Sequence, residues 1–346
     1  MMHFNITEPD RAIIPVLQDK VDNLTKPKGS LGMLEELAVQ IGWIQQSLSP
    51  ELKKPHHIVF VADHGIAKEK VSLSPQEVTY QMLLNFVKGG AGVNFLANQH
   101  HFNLHIVDVG VVTDVEVEAP NLFHKKIRKS TRNYLHEAAM TMDELDEAIA
   151  IGAEQVQKSY NAGCNVISFG ELGITNTSSS ALWMHYLSGL DLRNCIGAGS
   201  DHTGDILGHK LEILTQCVKN YNGDATPLDI MRYFGGYEMV ATVGAMLKAA
   251  ELKMVILIDG FIMTNCLLMA KQFNAAVTSY AIFGHKGEEV GHGIVLRELE
   301  AKPILSLGFR LGEGTGALCA YPILESAVHM INEMSSFKVV QVTKYF

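Results

Sequence analysis

Six short runs rich in apolar and β-branched residues, at 57–62, 104–109, 165–169, 254–258, 277–283 and 304–307, punctuate the chain. Several are almost uniformly apolar. A strand with one wet face alternates, so an unbroken apolar run reads as a strand covered on both faces. Between the runs lie longer stretches with helical patterning, such as 75–86, 142–162 and 237–252. Strand–helix alternation predicts an α/β fold: a parallel sheet of about six strands, flanked by helices. Ligands of such sheets sit beyond the carboxyl ends of the strands.

Polar residues gather at those ends. Asp63-His64-Gly65 follows the first run, and Asp108 closes the second. Gly170-Glu171-Leu172-Gly173 follows the third, Asp259-Gly260 the fourth and Gly284-His285-Lys286 the fifth. The stretch 308–316 follows the last. Turn formation alone does not need so many acids and histidines, and the pattern predicts one shared active-site rim.

The chain has 346 residues, 47% of them hydrophobic, which allows one large domain or two unequal ones. The region before about residue 47 reads as helical, with Glu35, Glu36 and Gln40 opposite Leu34, Leu37 and Ile41. The run after 317 is also helical. We expect a large α/β domain over 50–316 and a smaller helical subdomain formed by 1–49 together with 317–346. A net charge of −9 and the lack of any Lys/Arg-rich run argue against a nucleic-acid partner. No signal-peptide pattern opens the chain, and apolar runs such as Met254-Val255-Ile256-Leu257-Ile258 are far too short to span a bilayer. The expectation is a soluble cytoplasmic protein without a membrane partner. Its five scattered cysteines contain no CxxC pair, so we expect buried free thiols and no zinc site.

The most informative string is Arg310-Leu311-Gly312-Glu313-Gly314-Thr315-Gly316, between a predicted strand and a predicted helix. Glycines let backbone approach a ligand and aim N–H groups at an anion, which a helix start reinforces. A glutamate there would repel a phosphate. It fits a loop that holds an anionic substrate and also removes a proton from a second reactant. Glu313 therefore reads either as a general base, raised by desolvation, or as an acid that stabilises a helix start. The string Asn176-Thr177-Ser178-Ser179-Ser180 reads as an anion cradle or as a Ser/Thr-rich cap. Glu171 just before it would be a second carboxylate, holding ribose hydroxyls or acting as a base. Lys210 alone reads as solvated, and Gly197-Ala198-Gly199-Ser200 as a weak phosphate nest. His64 and His285 lack regular ligand spacing and read as satisfied polar histidines rather than metal ligands. Gly89-Gly90-Ala91-Gly92 follows a helical run, not a strand, which argues against a dinucleotide loop. Pro75 reads as the first residue of a helix whose Tyr80, Gln81 and Leu84 form either a wall for a flat heterocycle or an ordinary amphipathic face.

Taken together, these strings resemble the nicotinate-nucleotide:dimethylbenzimidazole phosphoribosyltransferase family of cobalamin lower-ligand assembly. The matching segments include Thr25-Lys26-Pro27-Lys28-Gly29-Ser30-Leu31-Gly32, Ala62-Asp63-His64-Gly65, Phe234-Gly235-Gly236-Tyr237-Glu238, Asn332-Glu333-Met334 and the Glu171 and Glu313 strings. The resemblance implies transfer of the ribose phosphate of nicotinate mononucleotide to dimethylbenzimidazole or a related base, without cofactor or metal. It implies Glu313 as the base, Glu171 near the ribose and acceptor, and Leu172 with Gln81 around the heterocycle. It also implies that Gly173, Asn176, Thr177, Gly314, Thr315 and Gly316, with Leu311 and Gly312 of the same loop, hold the nucleotide, that Lys210 contacts phosphate, and that the protein is a homodimer.

This chain departs from the family pattern at Thr175, where a glycine is usual, at Ala198, where an arginine is usual, and at Lys286 and Gly287 in the His285 string. The departures keep alternatives open: the same transfer to another acceptor base, or a homologue that binds the nucleotide without turnover. An NAD-dependent oxidoreductase would need a glycine fingerprint after a first strand, and none is found.

Overall fold

The β-branched and apolar runs form strands where both faces are covered. In the computed structural model, which describes residues 2–197, 204–340 and 342–344, six parallel strands build one sheet. They are β1 (His56–Ala62), β2 (Asn103–Gly110), β3 (Leu122–His124), β4 (Val166–Leu172), β5 (Val255–Ile258) and β6 (Ala281–Phe283). Every residue of β1 and β5 is buried. The helices are α1 (Ile14–Asp22), α2 (Met33–Gln45), α3 (Glu77–Lys88), α4 (Gly92–Gln99), α5 (Met142–Asn161), α6 (Asn176–Ser188), α7 (Leu192–Cys195), α8 (Gly204–Asn220), α9 (Pro227–Phe234), α10 (Tyr237–Glu251), α11 (Phe261–Phe273), α12 (His292–Glu298) and α13 (Thr315–Glu333). Strand order is β3-β2-β1-β4-β5-β6, so the connection direction reverses between β1 and β4. In doubly wound sheets that reversal opens a crevice at the carboxyl ends of the two strands.

Two expectations about elements need correction. Residues 304–307 form no strand. They make one bridge, His285 to Leu305, and Leu307 is exposed. The run is apolar, but Pro303 before it lacks a donor, and Ser306 and Leu307 are exposed. Of the run 277–283 only Ala281–Phe283 is a strand. The residues before it, Ala275–Tyr280, form a 3-10 turn nucleated by the Asn274 side chain, which accepts the Ala276 N–H at 3.0 Å. The sixth strand is instead β3, at the sheet edge. Pro75 also lies outside its helix, one residue before the Gln76 cap.

The terminal segments meet. Leu24 and Ser336 form an antiparallel bridge, and the Phe337 N–H donates to the Asn23 carbonyl at 2.9 Å. Helices α2 and α13 pack on each other, and both also reach the sheet, so their apolar faces join the same core as the strands. Glu35, expected on the wet face of α2, is buried. Its carboxylate pairs with buried Lys26 at 2.8 Å and accepts the Leu31 N–H at 2.9 Å, which fixes the turn before α2.

Candidate active site

A cleft of about 180 Å³ opens at the carboxyl ends of β4 and β5, and the loops after them build its walls. Glu171, Leu172, Gly173, Asn176 and Thr177 come from the end of β4 and the start of α6. Leu311, Gly312, Glu313 and Thr315 come from the loop before α13, and Lys210 from α8. Sequence motifs far apart in the chain thus converge on one cavity. Asp259, Phe261, His285, Gly287 and Glu289 complete much of the lining.

Backbone geometry explains the glycines of the 312–316 loop. Gly312, Glu313 and Gly314 are all left-handed, with φ of +82°, +62° and +81°. A non-glycine residue in that region costs about 1–2 kcal/mol, so Glu313 is held there by its surroundings. A Cβ on Gly312 would sit 2.7 Å from Glu171 Oε1, and one on Gly314 would sit 2.0 Å from the His57 ring. Only the absence of side chains lets this loop lie between the two carboxylates and the sheet.

The two acids differ in their partners. Glu313 is 4% exposed, and its Oε2 accepts the Val93 N–H at the start of α4 at 3.0 Å. Burial pushes its carboxyl up, the Val93 N–H opposes that rise, and nearby Asp259 adds to it. Glu171 accepts a hydrogen bond from the Asn176 amide. Burial drives its carboxyl well above the usual range despite that bond, and the charges of Glu238, Asp259 and Glu313 push it the same way. Asp259 is the opposite case. Burial would raise it, but the adjacent His285 ring and the N–H groups of Gly260 and Ala317 outweigh burial and hold it below the usual carboxylate range.

The helix-start string after β4 divides between two jobs. Asn176 and Thr177 line the cleft, and the Lys210 ammonium donates to the Thr177 hydroxyl at 2.8 Å and lies 3.4 Å from the Gly197 carbonyl. Ser178, Ser179 and Ser180 are fully buried instead. Ser179 lies 3.3 Å from His64 Nδ1, and Ser180 accepts from the Asn265 amide at 3.0 Å. The five-residue polar string therefore faces the cleft only in its first two members, because α6 turns the next three into the core. Thr175 precedes them at φ +82°, a conformation β-branched residues rarely adopt.

Other expectations resolve on contacts. His64 is buried against Glu238 at 2.6 Å, directly behind Gly173, and His285 lies 3.3 Å from Asp259. Among the described residues no group of His, Cys, Asp and Glu is arranged to hold a metal ion. Gln81 is exposed on α3 and does not line the cleft. The buried residues of that helix are Thr79, Leu83 and Phe86, and the Thr79 hydroxyl accepts the Ile174 N–H at 3.2 Å. Gly314 and Gly316 stand behind the wall, against the rings of His57 and His285. Gly287 lines the cleft, whereas Lys286 is exposed. Of the 197–200 string only Gly197 lies within the described residues. Two contributors escaped sequence reasoning. The Gly89–Gly92 string presents no nucleotide loop but delivers the Val93 N–H to Glu313, and His57, read only as strand, touches the Glu313 backbone.

A family model described as phosphoribosyltransferase matches residues 6–342. The chain is 57% identical, over the whole of both chains, to a nicotinate-nucleotide–dimethylbenzimidazole phosphoribosyltransferase of Parabacteroides distasonis. It is 44% identical to the protein of that name from Dechloromonas aromatica, with 98% of each chain covered. Among solved structures, CobT from Thermus thermophilus superposes with a TM-score of 0.93 at 33% identity, covering 96% of this chain and 100% of that one.

Proposed function

The chain belongs to the phosphoribosyltransferase family whose model spans residues 6–342, and we propose that it moves the phosphoribosyl group of nicotinate mononucleotide onto dimethylbenzimidazole or a closely related base. The products are α-ribazole 5′-phosphate and nicotinate. The observation that carries this reading is the pairing of two buried, differently held carboxyls, Glu313 and Glu171, in one cleft on either side of Gly312.

Each of these residues has a distinct part in the chemistry. Nicotinate leaves from a pyridinium nitrogen, so it already carries positive charge and departs without an acid. Bond breaking builds positive charge at the ribose carbon, which the carboxylate side of the cleft stabilises. A ring nitrogen of the acceptor forms the new bond from the face opposite nicotinate, so a β link becomes an α link. The acceptor then carries one N–H proton too many, and Glu313 takes it. A base raised toward neutrality by burial suits that step. Glu171, buried in the same wall and held by the Asn176 amide, is placed to hydrogen-bond a ribose hydroxyl. Lys210 and Thr177 receive the phosphate beside the start of α6. Holding both reactants in one cleft supplies much of the remaining rate.

We assign the protein to the cytoplasm, in keeping with its five free cysteines, four of them buried. We also read it as a homodimer. The exposed apolar side chains Phe95 and Leu307, and Leu311 at the cleft, support that reading. Incubation with nicotinate mononucleotide and dimethylbenzimidazole tests the function directly. Mass spectrometry should find nicotinate and the α-riboside, and Glu313→Gln should lose about 10²–10⁴-fold in rate with its fold intact. No nicotinate release with any benzimidazole tried would reject the reading.

A further inference from the structure

His57 sits near the start of β1, fully buried, and it faces Ser168, its register partner on β4. Its Nδ1 lies 2.7 Å from Ser168 Oγ, and its Nε2 lies 2.8 Å from the Glu313 carbonyl oxygen. A carbonyl only accepts, so Nε2 carries the hydrogen. Nδ1 must then accept, and Ser168 is the donor. Burial agrees with this neutral tautomer, lowering the ring's pKa to about 4 against the raising effects of the Glu313 carbonyl and Asp259. The ring thus acts as a fixed rod between two central strands and one peptide unit.

That peptide unit belongs to a residue in a costly conformation. Glu313 has φ +62° between two left-handed glycines. Gly170 on β4 has no space for a Cβ, because the Glu313 carbonyl oxygen would be 2.3 Å from it, and Gly314 is closed in the same way by the His57 ring. Three contacts therefore clamp the main chain of Glu313 to β1 and β4: His57, Gly170 and the ring against Gly314. The Val93 N–H holds the other end of the residue, its carboxylate. Without the His57 donor, the Glu313 carbonyl would be buried and unpaired, and rotation of the peptide out of its left-handed state would relieve both faults.

We propose that His57, oriented by Ser168, is the positioning residue that sets Glu313 for proton removal from the acceptor base. The proposal rests on the reading of Glu313 as the base. It predicts a defect in the step Glu313 performs and not in nucleotide binding.

The experiment compares the full-length protein with His57→Phe, His57→Gln, Ser168→Ala and Glu313→Gln, using nicotinate mononucleotide and a series of benzimidazoles of increasing N–H acidity. His57→Phe keeps an aromatic ring and removes the donor. It should lower kcat roughly 10- to 100-fold, as displacement of a catalytic group by about 1 Å does, with the nucleotide KM little changed. The deficit should shrink as the acceptor N–H becomes more acidic, which a general loss of packing would not produce. His57→Gln, whose amide can still donate to the carbonyl, should recover most of the rate. Ser168→Ala should cost about 3- to 10-fold in kcat, the worth of one buried hydrogen bond. A folded His57→Phe with wild-type kcat on all acceptors would overturn the proposal. If His57→Phe does not fold, unchanged kcat in Ser168→Ala does so. Glu313→Gln separates the two readings: if it is inactive while the His57 and Ser168 variants keep wild-type kcat, only the positioning role fails. If it retains full activity, the base assignment fails and the positioning role with it.

Discussion

Val93 donates its backbone N–H to the Glu313 carboxylate at 3.0 Å, across 220 positions of sequence. The donor is one of the first N–H groups of α4, which have no partner within the helix. The start of α4 therefore serves as a fixed, partly positive support for the candidate base. This support favours the ionised form, whereas burial favours the protonated one, and burial wins.

The pH profile follows from that balance. Only ionised Glu313 can accept a proton, so kcat/KM should fall as pH drops through a pKa above that of an ordinary glutamate. Val93→Pro removes the donor at a first-turn position that tolerates proline. The acid limb of the profile should then move to still higher pH, because a contact that lowers the pKa has gone. Nicotinate release measured from pH 5 to 9 checks both curves. An acid limb in Val93→Pro that coincides with wild type would show that the contact does not tune the base.

Glu171 gives a stability prediction with a defined sign. Its folded pKa is raised well above the unfolded value, so the native state binds its proton more tightly. That contribution is complete at pH below the unfolded glutamate pKa and is lost as pH rises through the folded pKa. Glu171→Gln retains an acceptor for Asn176 and cannot ionise. Its Tm should therefore gain on wild type as pH rises from 5 to 8, by roughly 2 °C or more. A difference in Tm that stays constant over this range would count against the raised pKa.

Much of this arrangement was readable before the structure. Runs such as Ile58-Val59-Phe60-Val61 are apolar throughout because both faces of β1 are covered, and that signal located four strands closely. It failed where burial and apolarity part company. Leu305 and Leu307 are apolar without a partner strand, and Leu122-Phe123-His124 is too short to carry a pattern. Within the site, acids flanked by glycines were legible because few structural needs explain them. Contacts made by main chain were not. Nothing in the identity of Val93 announces its N–H, and nothing in Ser178-Ser179-Ser180 says which way α6 turns them.

Helices α5 and α10 test packing away from the cleft. Gly152 of α5 lies so close to α10 that a Cβ would sit 1.8 Å from the Ala241 carbonyl oxygen. Alanine in place of glycine within a helix ordinarily gains about 1 kcal/mol. Here overpacking against backbone exceeds that gain, and Gly152→Ala should destabilise the protein by about 2 kcal/mol or more. Neither helix lines the cleft, so kcat per folded molecule should be unchanged. Chemical denaturation paired with active-site titration separates the two effects.

Thr175 combines two costs at the edge of the cleft. It is a β-branched residue at φ +82°, and its Oγ1 is buried with no hydrogen-bond partner among the described residues. The left-handed conformation costs about 1–2 kcal/mol, and an unpaired buried hydroxyl about 1–3 kcal/mol. Glycine would remove both and would lose about 0.5–1 kcal/mol through the greater freedom of the unfolded chain. Relief exceeds loss, so Thr175→Gly should stabilise the protein by about 1 kcal/mol or more in urea unfolding. Thr175 also joins Ile174 to Asn176, and Asn176 holds Glu171. A looser backbone there should raise the KM for nicotinate mononucleotide while kcat changes less. Lower stability in Thr175→Gly would mean that the hydroxyl is paired in solution, and that the strain at this position is smaller than its φ implies.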